Sequence, residues 1–170
     1  GESPATYTMW LRLFADAVRS VKPNAVIIGA HLSGADDAYL SGMYDNNAKD
    51  YFNVIALDPY GLPLDYDGIK RIRELMDRKG DSNKKMWVTE WGVSSGTVGE
   101  ERQAQLIREG LNYLSRSQRI GAAYYHNFEC ELYVNTCAPG TEGYLGYDIL
   151  RGDAARTPKP SYAIFRKLAE

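Results

Sequence analysis

Met86-Trp87-Val88-Thr89-Glu90-Trp91-Gly92 is the stretch on which the fold turns. It reads as a strand, with a carboxylate, Glu90, immediately after Met86-Trp87-Val88-Thr89. Downstream, Thr97 and Glu100 have capping-box spacing, and Ala104, Ile107, Leu111 and Leu114 recur at helical spacing. Strand followed by helix is one βα unit, and the same unit is legible on both sides.

Upstream, Tyr51 to Leu57 is a second apolar run closing on Asp58-Pro59-Tyr60-Gly61, and Ile69, Ile72, Leu75 and Met76 give a helical stripe over residues 67–79. Earlier still, Ser3 and Pro4 have the chemistry of a helix start. Tyr7, Trp10, Phe14, Ala17, Val18 and Val21 form a stripe that ends at Lys22-Pro23-Asn24. Ala25 to Ala30 is then a buried strand carrying His31 at its end. Residues 32–50 read as a loop with a poorly defined helix, residues 121–127 as a fourth strand, and residues 129–159 as irregular before a last helix from Ser161 to Leu168. Four strands near 25–30, 52–58, 85–91 and 121–127, separated by helices, predict right-handed crossovers and an α/β fold with a parallel sheet, adjacent in chain order. Strands apolar almost throughout suit a sheet covered on both faces.

Composition narrows the function. With 20 Lys+Arg against 22 Asp+Glu, the chain has no basic footprint for nucleic acid and no polybasic membrane patch. Its longest apolar runs fall far short of the ~20 residues of a membrane span. The opening Gly1-Glu2-Ser3-Pro4 shows no secretory signal pattern. The 170 residues are also fewer than the ~250 typical of a complete α/β barrel.

In parallel α/β folds, functional side chains gather at the C-terminal ends of strands. Here those ends carry His31, Asp58 and Tyr60, Glu90 and Trp91, and His126 and Asn127. A carboxylate at the edge of a buried strand is costly to ionise unless donors surround it. From the residues alone, Glu90 reads equally as a site carboxylate and as one that caps the next loop or pairs with a surface arginine. His31 and His126 have no HxH, HxxxH or HExxH spacing, which favours strand-end hydrogen bonding over metal ligation. No GxSxG, GxxxxGK[ST] or GxGxxG motif occurs. Gly92 to Gly99 precedes a helix but matches no phosphate motif, and reads as a flexible loop. Cys130 and Cys137, in one irregular loop, favour a local disulfide over a metal site, hence an oxidising compartment; two free thiols in a cytosolic protein is the alternative.

Three stretches together resemble the C-terminal half of a clan A glycoside hydrolase of the cellulase-like and xylosidase-like group. Met86 to Gly92 is similar to the seventh-strand motif, whose Glu is the nucleophile. Leu57-Asp58-Pro59-Tyr60-Gly61 is similar to the sixth-strand end, where a Tyr touches that nucleophile. Tyr144 to Arg151, followed by Pro158-Lys159-Pro160-Ser161-Tyr162, resembles the closing stretch before the last helix. The sequence departs from the pattern at Asp58, where a His is common, and at His126, nearest to where a Trp floors the sugar site. The Asn-Glu-Pro-like motif with the acid/base Glu has no counterpart, and Glu2 does not fill that role.

The resemblance implies strands 5–8 of a (β/α)8 TIM barrel, with residues 1–170 a single half-barrel segment that is incomplete without an N-terminal half. It implies a retaining β-glycosidase with Glu90 as nucleophile, and Tyr60, His126, Asn127, His31, Asp58 and Trp91 around an oligo- or polysaccharide. No metal or organic cofactor is implied. The acid/base would come from an N-terminal half-barrel, as a separate chain or cleaved segment, unless self-association replaces it. The expected location is extracellular or periplasmic. A non-catalytic carbohydrate-binding or structural half-barrel is the reading from another class.

Overall fold

A computed structural model describes residues 1–128, 146–153 and 155–169. Cys130 and Cys137 lie outside the described residues. The elements run α1 (Pro4–Val21), β1 (Ile28–Ser33), α2 (Asp37–Asp45), a 3-10 turn (Ala48–Tyr51), β2 (Val54–Asp58), α3 (Tyr66–Arg78), β3 (Lys85–Trp91), α4 (Ser95–Val98), α5 (Glu100–Arg116), β4 (Ile120–Tyr125) and α6 (Tyr162–Ala169). The strands form one parallel sheet in the order β1-β2-β3-β4, the adjacency that the alternating pattern predicts. Among the described residues no helix is long and apolar enough to cross a membrane.

Chain contacts divide the molecule into two units. One comprises Gly1–Pro59, Asp65–Thr89 and Gln118–Ala123; the other comprises Tyr60–Leu64, Glu90–Ser117 and Tyr124–Glu170. In the first, β2 is buried along its whole length, and Leu40, Met43, Phe52, Ile69, Ile72 and Met76 supply much of the core. Helix α1 starts where expected, with the Ser3 side chain accepting from the Thr6 amide at 3.1 Å.

Its inward stripe is not the expected one. Thr8, Leu11 and Ala15 are buried, whereas Trp10 is 60% and Phe14 58% exposed, with Met9 and Leu13 on the same open side. The helix is apolar on two sides, so periodicity alone fixes the period but not which side meets the sheet.

Strand β1 begins three residues later than expected and runs through His31, which therefore sits within the strand. The Ile27 amide is held by the Asn53 side chain at 2.8 Å before the ladder starts, and Gly34, at φ +69°, follows the last strand residue. The register slips between Gly29 and His31, where Ala30 takes φ +44° and its amide donates to the Tyr7 hydroxyl at 2.8 Å. Residues 32–50 are more regular than expected because Asp36 caps α2, its carboxylate accepting from the Tyr39 amide.

Before β3, Asp81 is buried and satisfied by the Tyr44 hydroxyl and the Lys84 ammonium, each at 2.9 Å. Burial, with the Asp81 carboxylate beside it, pushes the Tyr44 phenol far above its ordinary range. This cluster lies at the N-terminal end of the strand, where packing rather than chemistry is the expected role.

In the second unit, Trp91 is 1% exposed, edge-on to Tyr125 at 5.2 Å between ring centroids. It packs against α5 at Gly110. The proposed capping box is absent: Ser94 caps α4, accepting from Thr97, and α5 starts after Gly99 without a side-chain cap. The Gly92–Gly99 segment is accordingly an ordered turn of helix, with Ser94 and Ser95 buried. Coverage on both sheet faces, expected for all four strands, fails at both edge strands: Ile28, His31 and Ser33 are exposed in β1, and Gly121, Ala123 and Tyr124 in β4.

Two outcomes test this packing. A Cβ on Gly110 would lie 2.6 Å from the buried Trp91 ring. Gly110→Ala should therefore lower stability by roughly 1 kcal/mol net, overpacking of about 1–3 kcal/mol outweighing a helix-propensity gain of about 1; a raised urea midpoint would contradict it. Separately, Arg151 makes a two-point pair with Glu100 at 2.9 and 2.7 Å. That pair holds the Glu100 carboxyl below its ordinary range against a smaller effect of burial. A depressed acid pKa stabilises above the unfolded value and is lost as pH falls through the folded one. Glu100→Gln should cost about 0.5–1 kcal/mol at neutral pH. The difference should vanish in acid when urea unfolding is repeated across the pH range.

Candidate active site

The residues named from the sequence fall into two clusters, one in each unit. In the first, Asp58 ends β2 and is buried. Its carboxylate accepts from the Thr89 hydroxyl at 2.9 Å and pairs with Nε2 of His31, whose own side chain is 63% exposed. Asp58 is thus committed to protein partners and aims an accessible imidazole; His31 is the member of the pair that can meet a ligand.

The second cluster is built on Glu90, near the end of β3. The Tyr60 hydroxyl donates to Glu90 Oε1 at 2.8 Å, within the reach expected from the sequence, and His126 Nδ1 lies 3.3 Å from the same oxygen. Glu90 stays 39% and His126 44% exposed, so the carboxylate keeps a face toward solvent while two neighbours fix its direction. His126 follows β4, and its amide donates to the Trp91 carbonyl at 2.7 Å, which ties the imidazole to the strand carrying Glu90. Asn127 is next in the chain across a cis peptide bond and is half-buried.

Trp91 does not join them. Side chains alternate along a strand, and its burial against Gly110 and Tyr125 makes it a core residue rather than a substrate contact. The aromatic wall beside Glu90 comes instead from Tyr147, a residue not marked by a strand end. Its ring packs edge-on to Tyr60 at 5.6 Å and against His126 at 5.8 Å. The Tyr147 carbonyl accepts from the Tyr125 hydroxyl at 2.8 Å, and burial pushes the Tyr125 phenol far above its ordinary range, so it remains a donor. The signal for Tyr147 in the sequence is its place in the stretch from Tyr144 to Arg151.

Chemically, the cluster is a carboxylate held by a phenol, with an imidazole at the same oxygen. Such an arrangement suits nucleophilic attack, because two neighbours at one carboxylate oxygen fix the angle of approach.

Neither the protein-family models nor the curated proteins include a match to this chain. Solved structures do. A family 39 glycoside hydrolase from the gut symbiont Bacteroides cellulosilyticus WH2 superposes with a TM-score of 0.74 at 19% identity, over 92% of this chain and 35% of that one. In fold, the chain is similar to part of a glycoside hydrolase. A family 39 β-xylosidase from Caulobacter crescentus gives a TM-score of 0.73 at 18% identity, over 97% of this chain and 37% of that one. A family 128, curdlan-specific exo-β-1,3-glucanase from Blastomyces gilchristii gives 0.56 at 19%, over 72% and 54%. The chain therefore spans about a third of the length of the family 39 enzymes it resembles.

One substitution tests the local geometry. A Cβ on Gly92 would fall 2.3 Å from the His126 carbonyl oxygen and 2.7 Å from the Tyr147 ring. Gly92→Ala should lower stability by about 1–3 kcal/mol and displace the His126 imidazole resonances in a ¹H–¹⁵N spectrum, leaving those of His31 in place. Unmoved His126 signals would contradict the close packing.

Proposed function

We propose that this chain is the C-terminal half, strands 5–8, of a (β/α)8 glycoside hydrolase that cleaves a β-linked glycan with retention of configuration. The observation that carries the proposal is Glu90 at the end of a parallel strand, its Oε1 held by Tyr60 and adjoined by His126. In the first step Glu90 attacks the anomeric carbon while an acid protonates the departing oxygen. In the second, water, activated by that same group, releases the sugar from Glu90. Tyr60 orients the attacking carboxylate. In the unit of Glu90, His126 and Asn127 supply polar contacts for sugar hydroxyls; in the other unit, His31 backed by Asp58 offers a polar contact of its own.

The acid/base partner belongs about 5–5.5 Å from the nucleophile in a retaining enzyme, and no residue of this chain is assigned to it. We assign it to an N-terminal half-barrel. Three features support that assignment: the open apolar side of α1, with Met9, Trp10, Leu13 and Phe14 exposed; β1 and β4 as sheet edges among the described residues; and the greater length of the structurally similar enzymes. An apolar helix side and unpaired strand edges are surfaces that proteins normally cover. The disulfide between Cys130 and Cys137, with an extracellular or periplasmic location, forms part of the same reading.

Glu90→Gln should reduce hydrolysis of an activated aryl β-glycoside by the assembled protein by several orders of magnitude while leaving sugar binding nearly intact. Glu90→Gly with added azide should yield a glycosyl azide of inverted configuration, since azide then makes the single displacement. Undiminished turnover by either variant would remove Glu90 from the mechanism. Retained sugar binding with no hydrolysis by the wild-type assembly would leave a carbohydrate-binding barrel.

A further inference from the structure

Lys159 is the most deeply buried cation in the described chain, with a side-chain exposure of 0%. Its ammonium lies 2.8 Å from Asp148 Oδ2 and donates to Ser95 Oγ at 3.1 Å and to the Gly146 carbonyl at 3.2 Å. That carbonyl also accepts from the Ser95 amide and hydroxyl, each at 3.0 Å, and from Gln103 Nε2 at 2.9 Å. Gly146 and Asp148 are therefore both fixed from beneath, by an ion pair and by side chains of α4 and α5. The residue between them is Tyr147, whose ring touches Tyr60 and His126, the two side chains placed at Glu90 Oε1.

Stability alone does not account for this arrangement. A buried ion pair is costly to desolvate, and apolar residues of similar volume commonly match or exceed it. What apolar replacements cannot supply is a directional hold on the Gly146 carbonyl and the Asp148 carboxylate, one on each side of Tyr147.

We propose that Lys159 and Asp148 are positioning residues for the Glu90 carboxylate. They act through Tyr147, whose ring sets the side chains of Tyr60 and His126. The inference rests on the glycosidase reading for its consequence in catalysis, but its geometric part can be tested separately.

The test is the double variant Lys159→Met/Asp148→Leu, which removes both charges together and leaves neither group unpaired. At fixed pH, a long-range ¹H–¹⁵N spectrum resolves the two imidazoles, His31 and His126. The His126 resonances should shift or broaden, those of His31 should stay, and Tyr147→Ala should produce the same displacement alone. Combining all three changes should add little further. In the assembled protein, kcat on an aryl glycoside should fall roughly 10- to 100-fold with little change in KM, the range expected when a reacting group is misplaced by about 1 Å.

His126 resonances that coincide with wild type in the double variant, while Tyr147→Ala moves them, would overturn the proposal. A melting transition verifies the fold. If the double variant does not fold, Asp148→Asn is judged on the same spectrum by the same criterion. Failure of the nucleophile reading would show instead as turnover surviving Glu90→Gln, whatever the spectrum shows.

Discussion

A carboxylate at the end of a buried strand has to be held by donors, and that requirement organises the unit around Glu90. The hydroxyl of Tyr60 and the ring of His126 both approach Oε1, so one oxygen is fixed while the side chain remains partly open to solvent. Each neighbour is held in turn. The His126 amide is tied to the Trp91 carbonyl, and Tyr147 fills the space against both rings. Gly92 has to lack a side chain because the His126 backbone and the Tyr147 ring already occupy that volume. Orientation and packing thus converge on one side chain.

The other unit solves the same problem differently. Asp58 is buried and receives the Thr89 hydroxyl as well as the His31 imidazole, so its charge is spent on protein partners. The exposed element is the histidine. Two strand ends with the same polar content therefore present different chemistry, an accessible carboxylate in one unit and an accessible imidazole in the other. Which of the two a strand end presents depends on burial, and burial is not written in the local sequence.

Much of the fold was legible because helical and strand periods differ and alternated four times. β3 lies at its expected residues, and β2 and α3 lie within a few of theirs. The misplacements share a cause. Helix α1 has apolar residues on two sides, so the inward stripe was assigned to Trp10 and Phe14 although Leu11 and Ala15 take it. Strand β1 extends beyond its apolar run because pairing with β2, not side-chain character, determines where it stops. Tyr60, Glu90 and His126, which the structure brings together, are legible by their place at or just after strand ends. Trp91 was assigned by the same rule and is buried, because it falls on the opposite side of the strand. Tyr147 is out of reach for that rule, since it comes to the cluster from the closing stretch rather than from a strand end, and so is Lys159, which packs beneath that stretch.

The central assignment is that Glu90 bonds to the sugar. A 2-deoxy-2-fluoro glycoside with a good leaving group slows the second displacement and leaves the nucleophile carrying the sugar long enough to isolate. The measurement is mass spectrometry of peptides from the inactivated, assembled protein. The expected result is one added glycosyl group per chain, located on Glu90 in the peptide spanning Met86 to Gly92. A glycosyl group on any other residue, or inactivation with none attached, would contradict a nucleophilic Glu90.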